Sequence, residues 1–181
     1  MRILAIAGSL RRASYNRGVL VAARDLAPPG MSIDPYDLAG LPLYDEDLEP
    51  EPPVAARDFR AAVRTAAAVL IATPEYNYSI SGVLKNAIDW GSQPMGANVW
   101  DGKPAAILGV SVSSIGTARA QLHLRQCLSC LNVAVMPAPE LLVGKAAEKF
   151  DASGALIDGP TRAALADFLA HFDSWARRLL A

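Results

Sequence analysis

Apolar residues occur along this chain in short unbroken runs, separated by stretches in which they recur at helical spacing. Ile3 to Ala7 is apolar throughout and stops at Gly8. A strand covered on both faces loses the usual apolar/polar alternation, so this run predicts a buried strand. Ala68 to Thr73, ended by Pro74, and Lys103 to Val112 have the same character, and Met31 to Pro35 and Val133 to Met136 are shorter versions of it. The first intervening stretch carries Leu20, Val21, Ala23, Leu26 and Ala27 on one helical stripe, and Pro28-Pro29-Gly30 stops it. Helices are likewise predicted over Val54 to Thr65, Ser81 to Trp90 and Thr117 to Leu131. A last helix from Thr161 would lay Leu165, Phe168, Leu169, Phe172, Trp175 and Leu179 along one face of the sheet. Asp37 to Pro53, rich in Pro, Asp and Glu, is expected to be a surface connection, and Ala138 to Gly159 an irregular stretch. The loop Gly91 to Gly102 is expected to expose Met95 and Trp100.

Five strands alternating with five helices imply parallel strands joined by right-handed crossovers. Ligands then bind at the carboxyl ends of the strands, near the point where strand order reverses, which directs attention to the loops after strands one, three and four. With 181 residues and 52% apolar composition, one domain spanning residues 1 to 181 is expected.

Charge and composition narrow the partners. A net charge of -1 supplies no overall positive field for nucleic acid or an anionic membrane, and no apolar stretch approaches the ~20 residues of a membrane span. The amino terminus enters the first strand directly, without the pattern of a signal peptide. Cys127 and Cys130 are the only cysteines and make no disulfide framework, so a cytoplasmic location is expected. Both fall ten or more residues into the fourth helix, away from the helix start that lowers a thiol pKa, and suit a role as small hydrophobes. Together with His123 they share one straight helix, which cannot wrap a metal tetrahedrally, so no metal is expected. His123 and His171 are expected to pack or to face solvent.

The first of the three loops is Gly8-Ser9-Leu10-Arg11-Arg12-Ala13-Ser14-Tyr15-Asn16, and it runs straight into a helix. Gly8 admits a ligand to the backbone, the helix points unpaired amides and its positive dipole end at the loop, and Ser9, Ser14 and Asn16 add side-chain donors. Arg11 or Arg12 adds a charge-assisted fork. This combination suits a monophosphate ester. Taken alone, the same residues fit equally a surface turn with a serine cap and solvated arginines. Neither the dinucleotide pattern G-x-G-x-x-G nor a Walker sequence is present.

The second loop and the helix after it run Pro74-Glu75-Tyr76-Asn77-Tyr78-Ser79-Ile80-Ser81-Gly82-Val83-Leu84-Lys85-Asn86-Ala87-Ile88-Asp89-Trp90. Together with Gly8-Ser9-x-Arg11-x-x-Ser14-x-Asn16, and with Ile115-Gly116-x-x-Arg119-x-Gln121 and His123-Leu124-Arg125, this segment resembles the NADPH-dependent FMN reductase family, over nearly the whole chain. The resemblance implies a flavodoxin-like α/β fold, a doubly wound five-stranded parallel sheet in the order 2-1-3-4-5 with helices on both faces. It further implies FMN and NADPH as cofactors and a ping-pong reaction that passes hydride to quinones, free flavin, chromate or similar small-molecule acceptors. A homodimer or homotetramer is implied as well. Within the site, the resemblance places Ser9, Arg11, Ser14, Tyr15 and Asn16 around the phosphate. Pro74, Glu75, Tyr76, Asn77 and Tyr78 border the ribityl chain and ring, with Tyr78 or Tyr76 as an aromatic shelf, and Ser111 and Gly116 stand on the third loop. Lys85, Asn86 and Asp89 also match, but they lie on a helix. Lys85 and Asp89 form an i,i+4 pair and Asn86 ties down the preceding loop, so they are left outside the site.

Hydride transfer between a nicotinamide and a flavin is the cofactors' own chemistry, so no nucleophile or general base is required and no catalytic side chain is assigned. Arg119 suits an incoming nucleotide phosphate, a neighbouring subunit or solvent equally. Two further functions fit the same cofactor: a flavodoxin-type electron carrier and a flavin-binding sensor. Such carriers are strongly acidic, and this chain is near neutral with two arginines in the phosphate loop.

Overall fold

The computed structural model describes all 181 residues. Its elements follow in the order β1 (Arg2–Ala7), α1 (Tyr15–Asp25), β2 (Ser32–Tyr36), α2 (Val54–Thr65), β3 (Ala68–Ala72), α3 (Gly82–Ser92), β4 (Pro104–Val110), α4 (Ala118–Ser129), β5 (Ala134–Val135), β6 (Leu141–Val143) and α5 (Gly159–Leu180). Short 3₁₀ turns occupy Glu46–Leu48 and Ala146–Glu148. All strand pairs are parallel, and the order is β2-β1-β3-β4-β5, with β6 also on β4. The expected doubly wound topology is therefore present, with one refinement. The fifth strand is split: β5 pairs with the start of β4 (Pro104, Ala105), and β6 pairs with its end (Leu108 to Val110). Pro137 and Pro139 lie between the two halves, and neither has an N–H to donate to a ladder. The stretch expected to be irregular from Ala138 thus returns to the sheet and brings a sixth short strand.

The sheet separates two cores, as the unbroken apolar strands require. Ile3, Ala5 and Ala7 of β1 point into a core with α1 and α5, whereas Leu4 and Ile6 point into a core with α2, α3 and α4. The alternation comes from strand geometry, and both destinations are apolar because each face carries helices. On α5, Leu165, Phe168, Leu169 and Phe172 are fully packed, whereas Leu179 in the last turn is exposed.

Trp100 differs from expectation. It is 1% exposed, donates from its indole Nε1 to the Ile88 carbonyl at 3.0 Å and stands 6.0 Å from Phe59 between ring centroids. Gly91 makes this possible, because a Cβ there would lie 2.2 Å from the indole nitrogen. Met95 is fully exposed as expected. Because α3 runs antiparallel to the strands, their loop joins the end of α3 to the start of β4 and belongs to the opposite end of the sheet from the loops after β1, β3 and β4. Asn86, expected to hold the loop just before it, reaches instead to the connection after β2. It accepts from the Tyr44 amide at 2.7 Å and donates to the Pro42 carbonyl at 2.8 Å.

Candidate functional site

The carboxyl ends of β1, β3 and β4 open into one cleft of about 180 Å³, lined by Ser9, Arg11, Ser14, Tyr15, Asn16, Pro74, Glu75, Tyr76 and Val110 to Val112. Of the residues expected here, Ser9, Arg11, Ser14, Tyr15, Asn16, Pro74, Glu75, Tyr76 and Ser111 line the cleft, while Asn77, Tyr78 and Gly116 stand beyond it on the same two loops. The volume is below the ~300–1,000 Å³ that encloses a whole drug-sized ligand, so the cleft grips one end of a molecule and leaves the rest on an open rim. A second groove of about 230 Å³ lies between α1 and β2, but its polar side chains Arg17 and Asp37 are paired with each other at 2.8 Å and its floor is alanine and leucine. It offers no comparable set of free donors.

On the first wall, Ser14 caps α1 by accepting from the Arg17 amide, and the Ser9 hydroxyl accepts from the Arg11 amide, both at 3.4 Å. Both hydroxyls are buried and keep a hydrogen to donate. The amides of Arg12, Ala13 and Ser14 meet no protein acceptor, and neither Arg11 nor Arg12 has a carboxylate partner. Arg17 donates from Nε to the Ser9 carbonyl at 3.1 Å, which satisfies that acceptor within the loop. Tyr15 lines the cleft and packs its ring 5.1 Å from Phe150, centroid to centroid. An anion fits this wall by the chemistry of the donors and by the positive end of α1.

Asn16 behaves differently from expectation. Its carboxamide is buried and paired with the backbone of Val110, accepting from the N–H and donating to the C=O, each at 3.0 Å. Its oxygen and one of its two amide hydrogens are committed to this brace inside the protein, although the residue also lines the cleft.

The second wall is built around a tight turn. Tyr76 and Ser79 exchange both backbone hydrogen bonds, and Asn77 and Tyr78 between them have φ of 49° and 67°. Asn tolerates the left-handed region, but a tyrosine there is strained by about 1–2 kcal/mol. Three contacts with α4 hold the turn. The Glu75 carboxylate, 7% exposed, accepts from the Arg119 and Ala120 amides at 3.1 and 3.2 Å and from Arg119 Nε at 2.6 Å. The Arg119 guanidinium carbon lies over the Tyr78 ring, 3.7 Å from its centroid. The Ser79 hydroxyl and His123 Nδ1 are 2.6 Å apart. Thr117 makes no side-chain cap, so Glu75 caps α4 from another element. Its side chain, expected to border the ring, is directed into this brace, and only its backbone remains available to a ligand. The turn leaves the amides of Glu75, Asn77 and Tyr78 without protein acceptors.

The third wall follows β4. Its closeness to the others depends on Gly109, where a Cβ would lie 1.9 Å from the Thr117 hydroxyl and 2.4 Å from the Thr73 carbonyl. The Ser111 amide and carbonyl join the segment around β6, to Val143 and from Ala146, and Gly116 turns with φ of 63°. Cys127 is half-buried and burial raises its thiol pKa, while Cys130 is exposed. Sequence reasoning missed the brace made by Glu75, Arg119, Ser79 and His123; the only local sign was the i,i+4 spacing of Arg119 and His123.

A family model described as NADPH-dependent FMN reductase matches residues 1–148. An NAD(P)H-dependent FMN reductase of Pseudomonas aeruginosa is 50% identical, covering 99% of this chain and 97% of its own. A 2-hydroxy-1,4-benzoquinone reductase of a Burkholderia species is 44% identical over 98% and 97%. Among solved structures, FerB, a flavoenzyme NAD(P)H:(acceptor) oxidoreductase from Paracoccus denitrificans, superposes with a TM-score of 0.90 at 34% identity, covering 98% of this chain and 97% of that one.

Proposed function

Since this chain belongs to the NADPH-dependent FMN reductase family, we propose that the cleft holds FMN with its phosphate against the first wall and its ring on the rim between the second and third. The protein is an NAD(P)H-dependent oxidoreductase that uses FMN. Bound FMN supplies two-electron redox chemistry, taking hydride from a nicotinamide and giving it to an acceptor. The observation that carries the placement is the set of unpartnered donors at the start of α1: the Ser9 and Ser14 hydroxyls, the free amides of residues 12 to 14 and the Arg11 guanidinium.

The chain's own part is to bind and to orient. Ser9, Arg11 and Ser14 neutralise the phosphate, and Tyr15 floors the polyol. The unpaired amides of Glu75, Asn77 and Tyr78 face the polar edge of the ring, where fixed donors favour the electron-rich state. Ser111 and Gly116 close the far side. Acceptors are small molecules, of which quinones are the leading class, since relatives at 44 and 45% identity are named quinone reductases and one at 43% a probable NADPH:quinone oxidoreductase. NADPH is the proposed donor. Arg17 and Arg119 near the cleft are paired with carboxylates, so Arg12, which has no such partner, is the arginine proposed for its additional phosphate.

Tyr76, Tyr78, Val112, Ile115 and Leu122 are exposed around the rim and on α4. A second copy covering them completes the site, and light scattering should find a dimer or tetramer. No helix is long and apolar enough to cross a membrane. The unpaired cysteines fit the cytoplasm.

The test is anaerobic. Purified protein titrated with FMN should form a complex, NADPH should bleach its visible absorption, and a quinone should restore it. A titration that detects no flavin complex overturns the reading, and a complex that NADPH leaves yellow would make the protein a carrier or sensor.

A further inference from the structure

We propose that Asn16 is a positioning residue: its carboxamide takes the place of a missing strand beside β4 and so sets the distance between the phosphate loop and the ring-side loop Ser111 to Gly116. The proposal rests on the cleft being the FMN site.

The β3–β4 ladder ends where the Thr73 amide donates to the Leu108 carbonyl at 2.9 Å. In a parallel sheet, the N–H and C=O of alternate residues point to the same side of the strand. Val110 therefore faces β3, as Leu108 does, whereas Ser111 faces β6, where its amide donates to the Val143 carbonyl at 2.9 Å. By the level of Val110 no β3 remains. Pro74 carries no N–H, and the chain turns away there to build the second wall. A buried N–H and C=O left unpaired would be costly, so something must meet Val110.

Asn16 does so from 94 residues away, with Oδ1 accepting from the Val110 N–H and Nδ2 donating to its C=O. A primary amide presents the same donor and acceptor pair, side by side, as a strand backbone. Its two neighbours in the chain explain the consequence. Asn16 follows Ser14 and Tyr15 of the first wall directly, and Val110 directly precedes Ser111 of the third. One pair of hydrogen bonds thus registers the anchor for the phosphate against the loop that closes over the ring. Asp has the same shape but no donor, and would set a charged oxygen against the Val110 carbonyl. Serine is too short to reach both atoms.

A residue that held phosphate would matter only to a ligand with phosphate. One that sets the register matters to any ligand spanning both loops, and riboflavin, with ribityl chain and ring but no phosphate, separates the two roles. The experiment measures FMN and riboflavin affinities by flavin fluorescence in wild type, Asn16→Ala and Asn16→Asp, with Arg11→Ala as comparator. Arg11→Ala should weaken FMN and spare riboflavin. Asn16→Ala should weaken the two ligands by the same factor, about tenfold, and Asn16→Asp should weaken riboflavin by as much and FMN further, because its charge also opposes the phosphate. For Asn16→Asp, riboflavin affinity should recover as pH falls from about 7 to about 5, because the protonated carboxyl regains a donor for the Val110 carbonyl, while wild type stays flat. Should Asn16→Ala fail to fold, the isosteric Asn16→Asp carries both readouts. Riboflavin affinity unchanged in both variants overturns the positioning role while leaving the FMN site intact. A wild type that takes up neither flavin overturns the FMN reading, and this proposal with it.

Discussion

The first and second walls of the cleft use polar residues in opposite ways. The Ser9 to Tyr15 stretch keeps most of its donors free: two serine hydroxyls, several amides and the Arg11 guanidinium have no protein acceptor that satisfies them. The Pro74 to Ser79 turn commits three of its side chains to α4, with Glu75 on the helix start and Arg119, Tyr78 beneath Arg119 and Ser79 on His123. One wall suits an anion. The other is a rigid edge whose backbone amides are left without protein acceptors, held in a shape that a tyrosine adopts only under strain. The difference teaches that two loops of equal polarity in sequence can be, respectively, a binding surface and the scaffold for one.

Arg11→Ala attacks the charge-reading wall and should have the largest effect: a loss of roughly 1.5–3 kcal/mol in FMN affinity, steeper at low salt, measured by fluorescence titration. Unchanged FMN affinity would mean that Arg11 is a solvated side chain. Glu75→Ala attacks the scaffold. It removes the cap of α4 and frees Arg119, so Tm should fall by an amount matching roughly 0.5–2 kcal/mol, and FMN and riboflavin should weaken together. A selective loss of FMN would put Glu75 in the binding surface after all. Smaller again is Tyr78→Gly, where relief of the left-handed strain, about 1 kcal/mol, offsets the lost Arg119 contact. Thermal unfolding should shift by only a few degrees, and a large fall would show that the stack outweighs the strain. The smallest effect is expected outside both walls. Burial holds the Cys127 thiol above its ordinary pKa, so at pH 8 it should react with iodoacetamide more slowly than exposed Cys130, and Cys127→Ala should leave quinone turnover unchanged.

Much of the fold was legible because its signals are local. Apolar runs such as Ile3 to Ala7 and Ala68 to Thr73 became central strands within a residue or two of the expected bounds. The fifth strand was only partly legible, since Val133 to Met136 looks continuous until Pro137 and Pro139 divert it and Leu141 brings the chain back to β4. Trp100 was misplaced because a large aromatic in a Gly-rich loop has no periodicity to reveal its burial; the Gly91 surface that admits it lies in another element's geometry.

The candidate site divides along the same line. Ser9, Arg11 and Ser14 could be found from sequence, because a loop that enters a helix is built from consecutive residues, whereas the tight turn between Tyr76 and Ser79 was not read there. Where Asn16 and Glu75 point could not be found there either. Each is satisfied by a partner far along the chain, 94 residues for Asn16 and 44 for Glu75, and a carboxamide or carboxylate serves a ligand as readily as a backbone. The amino-acid sequence alone determined the order of elements, the loops that meet at the carboxyl end of the sheet and the supply of donors in the first. Only the folded chain decided which of those polar groups remain free, because a hydrogen-bonding group takes the partner that packing brings within 3 Å, and packing is settled between distant segments.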